Sequence, residues 1–324
     1  MTLDNRIEWI DLTKGIAIFL MVCGHTSIPM TVSNFIWCFH MPLFFIVSGM
    51  LYRPEKAEDY KRYVINKIKI LVIPYFFFLI CDFLYRYTWG LDFSWKMLTD
   101  GIQIGAYWFL QVLLVVELLN AVLIKFLCEN TNSKDGRVWY LFSIIILAIL
   151  GYYAYLKNIH LPYRLEVVGL ASLHYGFGFI FKNMIKDYKI GIWLSLLLIG
   201  FTLLFSQILP RLDMNFNQFG SFVPNILLAW MGTISVMMIS KNLEDLKDSN
   251  LIKRFLLWAG QFSIVVMGLS QPINMSLKYS LEMMALPHVV SVAVQHSSLW
   301  LILVILSYFL NHYLPALIGK KITS

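Results

Sequence analysis

The chain is dominated by ten runs of roughly twenty mostly apolar residues, each long enough to cross a bilayer as a helix. In hydrocarbon there is no water to satisfy a backbone N–H or C=O, so each run must close its hydrogen bonds within itself. The pattern predicts spans over 10–28, 34–52, 70–88, 104–126, 138–156, 166–181, 190–208, 220–239, 255–276 and 294–314. Composition excludes the soluble alternative. Of 324 residues, 59% are hydrophobic and 14% charged, too few polar groups to make a solvated exterior. No soluble domain, low-complexity tract or fixed-period repeat interrupts the pattern. The expectation is one all-α integral membrane domain filling 1–324, a bundle of about ten transmembrane helices.

The formal net charge of +7 does not mark a nucleic-acid binder, because the basic residues lie in short gaps between apolar runs. Such residues act as orientation signals. With the N-terminus in the cytoplasm, only Arg86, Lys96, Lys157, Arg164, Arg211 and Lys278 fall outside, leaving 20 of 26 Lys and Arg inside. The segment after the second span alone carries Arg53, Lys56, Lys61, Arg62, Lys67 and Lys69. Both termini are therefore expected in the cytoplasm. Cys23, Cys38, Cys81 and Cys128 lie in or beside apolar runs and fit neither a disulfide framework nor a metal spacing; no metal is expected. Asp4, Arg6, Glu8 and Asp11 precede an apolar stretch without a small-residue cleavage site, so the first run reads as a retained span.

Ionisable groups at membrane depth cost a few kcal/mol each, which makes every one a candidate for function. The first span holds Asp11, Lys14 and His25. Eleven positions are about three helical turns, so Lys14 and His25 share a face, about 16 Å apart along the axis. Asp11 lies three residues before Lys14 and can pair with it. The second span places His40 about two turns below the outer surface, a depth His25 can share from the neighbouring helix. Pro42 frees a backbone carbonyl, and Ser48 and Gly49 permit close packing. Two histidines at one depth suit a base and its partner.

Asp11-x-x-Lys14, then ten residues between Lys14 and His25, then Phe39-His40-Met41-Pro42-Leu43-Phe44-Phe45-Ile46-Val47-Ser48-Gly49, resemble the acyltransferase-3 family of membrane acyltransferases. That family carries Arg or Lys ten residues before a histidine on its first helix and F-H-x-P-L-F-F-x-x-S-G on its second. Weaker echoes follow in Lys67-x-Lys69-x-Leu71-x-Ile73-Pro74-Tyr75, Trp108-Phe109-Leu110 and Gly260-x-x-Ser263. Two positions depart from the pattern. Lys67 and Ile70 stand where Arg-x-x-Arg is common, and Ser270 stands where a late histidine is common.

The resemblance implies transfer of an acyl group, taken as acetyl, from acetyl-CoA to a hydroxyl of a carbohydrate or lipid-linked envelope glycan. It also implies a multi-pass protein of the bacterial cytoplasmic (inner) membrane, whose partners are acyl-CoA, the glycan acceptor and the lipid bilayer, with no nucleic acid. In that scheme His25 is the general base, and His40 binds substrate or assists proton transfer. Lys14, held by Asp11, acts with Lys67 and Lys69 to attract the phosphates of coenzyme A, and Trp108 belongs to the substrate or donor site. Glu117, mid-span among Leu and Val, either orients a histidine, binds substrate or pairs with a polar neighbour. Asp82 and Arg86 read as a structural i, i+4 pair, and His174 as a helix-packing donor. His160, His288 and His296 read as solvated or interfacial. The competing classes are a transporter of a glycan or small solute, which should show a pair of broken helices in two related halves, and a non-catalytic subunit of a glycan assembly.

Overall fold

The computed structural model describes residues 7–26, 28–92, 105–129, 134–284 and 287–320. Asp4, Arg6, Lys96, the first residue of the 104–126 stretch and the side chain of His288 lie outside the described residues. Within them the chain is helical, with one isolated bridge between Asp213 and Gln218. The helices are α1 (Glu8–Gly24), α2 (Met30–Met50), α3 (Tyr60–Thr88), α4 (Trp108–Ile124), α5 (Lys134–Leu156), α6 (Val168–Asp187), α7 (Ile192–Phe205), α8 (Phe222–Glu244), α9 (Leu251–Gln261), α10 (Ser263–Glu282) and α11 (His288–Tyr313). A π turn over Ile68–Val72 lies inside α3, and a second over Lys125–Glu129 extends α4.

Every predicted stretch holds a helix, but they are not ten equal spans. By length and apolarity six described helices qualify (α2, α3, α4 with its extension, α5, α8 and α11), or seven with the bent pair α9–α10. The others fall short for physical reasons. α1 has 17 residues, about 26 Å, and carries Glu8, Asp11 and Lys14. α7 has 14 residues. α6 is buried in protein continuously from Val168 to Gly178 and includes Ser172 and His174, so its composition answers to neighbouring helices rather than to lipid.

The predicted span 255–276 is the clearest correction. It is two helices meeting at 89°. At Phe262 the backbone leaves the helical region (φ −109°, ψ 19°), its N–H still closing α9 on the Trp258 carbonyl while its own carbonyl accepts from Val265 and Val266 to open α10. The bend sits where α9 crosses α1 backbone to backbone. A Cβ on Gly260 would lie 1.8 Å from the Asp11 carbonyl oxygen, and one on Gly15 would lie 2.0 Å from that of Leu256. α2 and α6 cross the same way, Gly49 against the Tyr175 carbonyl and Gly178 against that of Ile46. Without a hydrophobic force between helices in lipid, such small-residue contacts carry the packing.

Polar contacts gather the loops at two ends. At one, Lys253 pairs with Glu8 (2.6 Å) and donates to the Glu244 carbonyl. There too Lys241 donates to the carbonyls of Ile185, Lys186 and Tyr188, Lys182 reaches the Tyr52 carbonyl, and Lys125 the Glu58 carbonyl. At the other, Asn274 donates to the His25 carbonyl, Gln207 to that of Thr31, Asn225 to that of Pro210, and Trp89 to Ser276. α1, α2, α3 and α8 therefore each run from one end to the other, α1 included despite its shortness.

Candidate active site

A cavity of about 480 Å³ opens between α1, α2, α4, α10 and the segment joining α7 to α8. Lys14 and His25 from α1, His40 from α2 and Trp108 from α4 all line it, so the face shared by Lys14 and His25 is the face α1 turns toward the cavity. Ser263, the first residue of α10, also lines it, because the bend at Phe262 brings that helix start to the cavity wall. Gly260 of the same motif supplies the close crossing beside Lys14. The wall between is apolar, including Ile18, Met21, Phe44, Leu71, Phe109 and Leu113.

Lys14 pairs with Asp11 at 2.6 Å, as the i, i+3 spacing predicts. Asp11 is buried behind it, so Lys14 alone of the two reaches the cavity. His25 sits just past the last turn of α1, its backbone N–H still directed at the carbonyls of Met21 and Val22. It is exposed and lines the cavity, whereas His40 is buried. The Nδ1 of His40 lies 2.9 Å from the Ile36 carbonyl oxygen. A carbonyl only accepts, so a neutral His40 carries its proton on Nδ1 and keeps the Nε2 lone pair. The two imidazoles are joined through an aromatic. The Trp37 ring lies 5.2 Å from His25 and 5.0 Å from His40, centroid to centroid.

Glu117 does not face the histidines. It pairs with Lys67 at 2.7 Å, both largely shielded, and Lys67 also lies 5.3 Å from the centre of the Tyr63 ring. Of the three arrangements open to Glu117, the one seen is pairing with a polar neighbour, Lys67. Neither lines the cavity; Lys69 is exposed on α3, and Leu71 is the residue of that basic segment that does line it. Asp82 and Arg86 form the expected pair at 2.7 Å. His174 is buried, but its Nδ1 accepts from the Trp230 indole N–H at 3.0 Å, so its role in that bond is acceptor rather than donor. Ser270 is buried in α10. Among the described residues no His, Cys, Asp and Glu come together as a group able to hold a metal.

One part of the site was not anticipated. Residues 211–216 line the cavity from the α7–α8 segment. Asp213 is buried and uses both carboxylate oxygens, Oδ1 accepting from the backbone of Asn215 and Phe216, Oδ2 from Trp37 Nε1 (2.9 Å) and Arg211 (3.2 Å). Two backbone hydrogen bonds with Gln218 close the turn. The Asn and Gly residues of 215–220 signal a turn, but nothing local ties it to Trp37, which lies 176 positions away.

Residues 7–273 match the acyltransferase domain of the acyltransferase-3 family. Nodulation protein NolL of Sinorhizobium fredii is 30% identical over 206 residues, 57% of this chain and 51% of that protein. The chain thus spans about half the length of that curated relative. No solved structure matches. The family match takes in α1 to α9 and the first half of α10, and with them Lys14, His25 and the Phe39–Gly49 segment. This integral membrane chain belongs to the acyltransferase-3 family.

Proposed function

We propose that the chain transfers an acetyl group from acetyl-CoA to a hydroxyl of a carbohydrate or lipid-linked envelope glycan in the bacterial inner membrane, with His25 as general base. The observation that carries this reading is one cavity lined at once by a cation, Lys14, and by two imidazoles, His25 and His40. A hydroxyl is a weak nucleophile at neutral pH, and a neutral imidazole in hydrogen-bond reach can take its proton as it attacks. The hydroxyl oxygen forms a bond to the thioester carbonyl carbon while its proton passes to His25. The tetrahedral intermediate then expels the coenzyme A thiolate, which takes the proton back from the imidazolium. Ester and free thiol leave, and His25 returns neutral.

Lys14 supports donor binding as a point charge for a phosphate or for the developing oxyanion. Lys67 fits that role less well than its sequence position suggests, because Glu117 already balances it; exposed Lys69 is the better candidate on α3. The apolar stretch of wall between Lys14 and the histidines suits a short acyl chain. A transporter would call for broken helices in two related halves, and among the described residues there is one sharply bent pair.

The test is incubation of the purified protein with acetyl-labelled acetyl-CoA and envelope glycan fractions. Label appearing in glycan, as an ester cleaved by mild base, is the expected result. Release of coenzyme A without label in any acceptor, or no consumption of donor beside facilitated movement of a glycan across vesicles, would sink the reading.

A further inference from the structure

We infer that Asp213 is a positioning residue that acts through Trp37, fixing His25 and His40 relative to one another from the α7–α8 segment. The inference rests on the proposed role of His25 for its meaning to catalysis, and on geometry for its existence. Trp37 is a wedge between the two helices that carry the imidazoles. It contacts both rings, and a Cβ on Gly24 would fall 2.1 Å from its six-membered ring, so the indole lies directly on the α1 backbone beside His25. The indole is held from the far side. Its N–H donates to Asp213, and the Arg211 guanidinium lies 4.8 Å from its ring centre while pairing with the same carboxylate.

The anchor is itself fixed, because Asp213 is buried, turned by Asn215 and Phe216, and bridged to Gln218. All four polar demands on this carboxylate are donors, namely two loop N–H groups, one indole N–H and one guanidinium. An amide cannot replace it. Asn offers one acceptor oxygen and one donor nitrogen, so Asp213→Asn must set an NH₂ against either the indole or the loop. Trp37→Phe, by contrast, keeps an aromatic ring on α2 and removes the N–H that Asp213 holds, together with the outer part of the indole that lies on Gly24. Together the two variants separate action through Trp37 from direct contact of Asp213 with substrate.

The experiment is a double-mutant cycle of Asp213→Asn and Trp37→Phe with two readouts. The first is acyl-transfer turnover, where each single variant should lower kcat by roughly 10–100-fold, the scale of a reacting group misplaced by about 1 Å. KM for donor and acceptor should hold, and the double variant should be no worse than the poorer single. The second is the rate at which diethylpyrocarbonate modifies His25, followed by peptide mapping. It should rise severalfold in each single variant without a further rise in the double. Additive losses, or a raised acceptor KM with kcat intact, would mean that Asp213 meets substrate directly and overturn the inference. Unchanged His25 reactivity in both singles would overturn it equally. The modification readout needs no turnover: if the wild type transfers no acyl group, the proposed function fails while the clamp is still decided. If Asp213→Asn does not fold, Trp37→Phe alone tests the link, since it cuts the same bond with Asp213 in place.

Discussion

At the scale of single residues, the site divides into groups that face the cavity and groups that hold them. His25 faces it. A general base contributes roughly 10²–10⁴-fold, so His25→Ala should lose acyl transfer by about that factor while the protein still inserts and binds coenzyme A. His25→Gln should do no better, because an amide hydrogen-bonds but accepts no proton at neutral pH. Near-normal turnover in a well-folded His25→Gln preparation would move the base to His40, whose Nε2 lone pair is left available by the Ile36 contact. Lys14 is read by binding instead: Lys14→Ala should weaken coenzyme A affinity in calorimetry, and Lys14→Arg should retain much of it. Equal affinity in the alanine variant would leave Lys14 as a structural partner of Asp11. Glu117 lies outside both groups, paired with Lys67 away from the cavity. Glu117→Gln strands the shielded Lys67 charge and should cost about 1–3 kcal/mol, a share of the penalty for a fully buried pair, because Lys67 keeps 22% of its side-chain exposure. The double change Lys67→Met with Glu117→Leu should recover most of the lost thermal stability. Failure of that recovery would return the pair to the functional class.

At the scale of elements, the helix period carried most of what could be read in advance. Lys14, His25 and Asp11 lie on one short helix, so their shared face follows from 3.6 residues per turn without knowledge of any partner. His40 follows from its depth on the second span and Trp108 from motif resemblance, and both line the same cavity. The bend at Phe262 was not legible, because a run of apolar residues from 255 to 276 has the same hydropathy whether straight or folded at a right angle. Lys67–Glu117 and Trp37–Asp213 were not legible for another reason. Each joins groups 50 or more positions apart, and periodicity orders only neighbours within one helix. The crossing of α1 and α9 yields its own prediction. A methyl on Gly260 would enter the Asp11 carbonyl, so Gly260→Ala must push the helices apart. Overpacking of this kind costs about 1–3 kcal/mol, and it should also displace Lys14 and Ser263, since both flank the crossing. A lower midpoint of thermal aggregation together with weakened donor binding is expected. Unchanged values for both would mean that the crossing relaxes without cost.

At the scale of the whole molecule, the two ends differ in a way that bears on how donor and acceptor meet. One end collects Glu8, Lys125, Lys182, Lys241 and Lys253 through contacts with backbone carbonyls and carboxylates. The other carries His25, Trp37 and the segment over the cavity, with Arg211 among its few cations. The excess of Lys and Arg at the first end is the distribution expected of a cytoplasmic face. In the proposed reaction that orientation would have Lys14 meet the donor from the cytoplasm and the histidines meet the acceptor near the outer surface. Single cysteines in a background lacking Cys23, Cys38, Cys81 and Cys128 test it directly. Lys247→Cys lies in the exposed turn after α8, and Phe216→Cys in the cavity-covering segment. In intact cells an impermeant maleimide should label the second and spare the first, and permeabilisation should make both reactive. The opposite pattern would put Lys14 on the outer side, away from any cytoplasmic acyl-CoA, and would remove the physical basis for carrying an acyl group through this cavity.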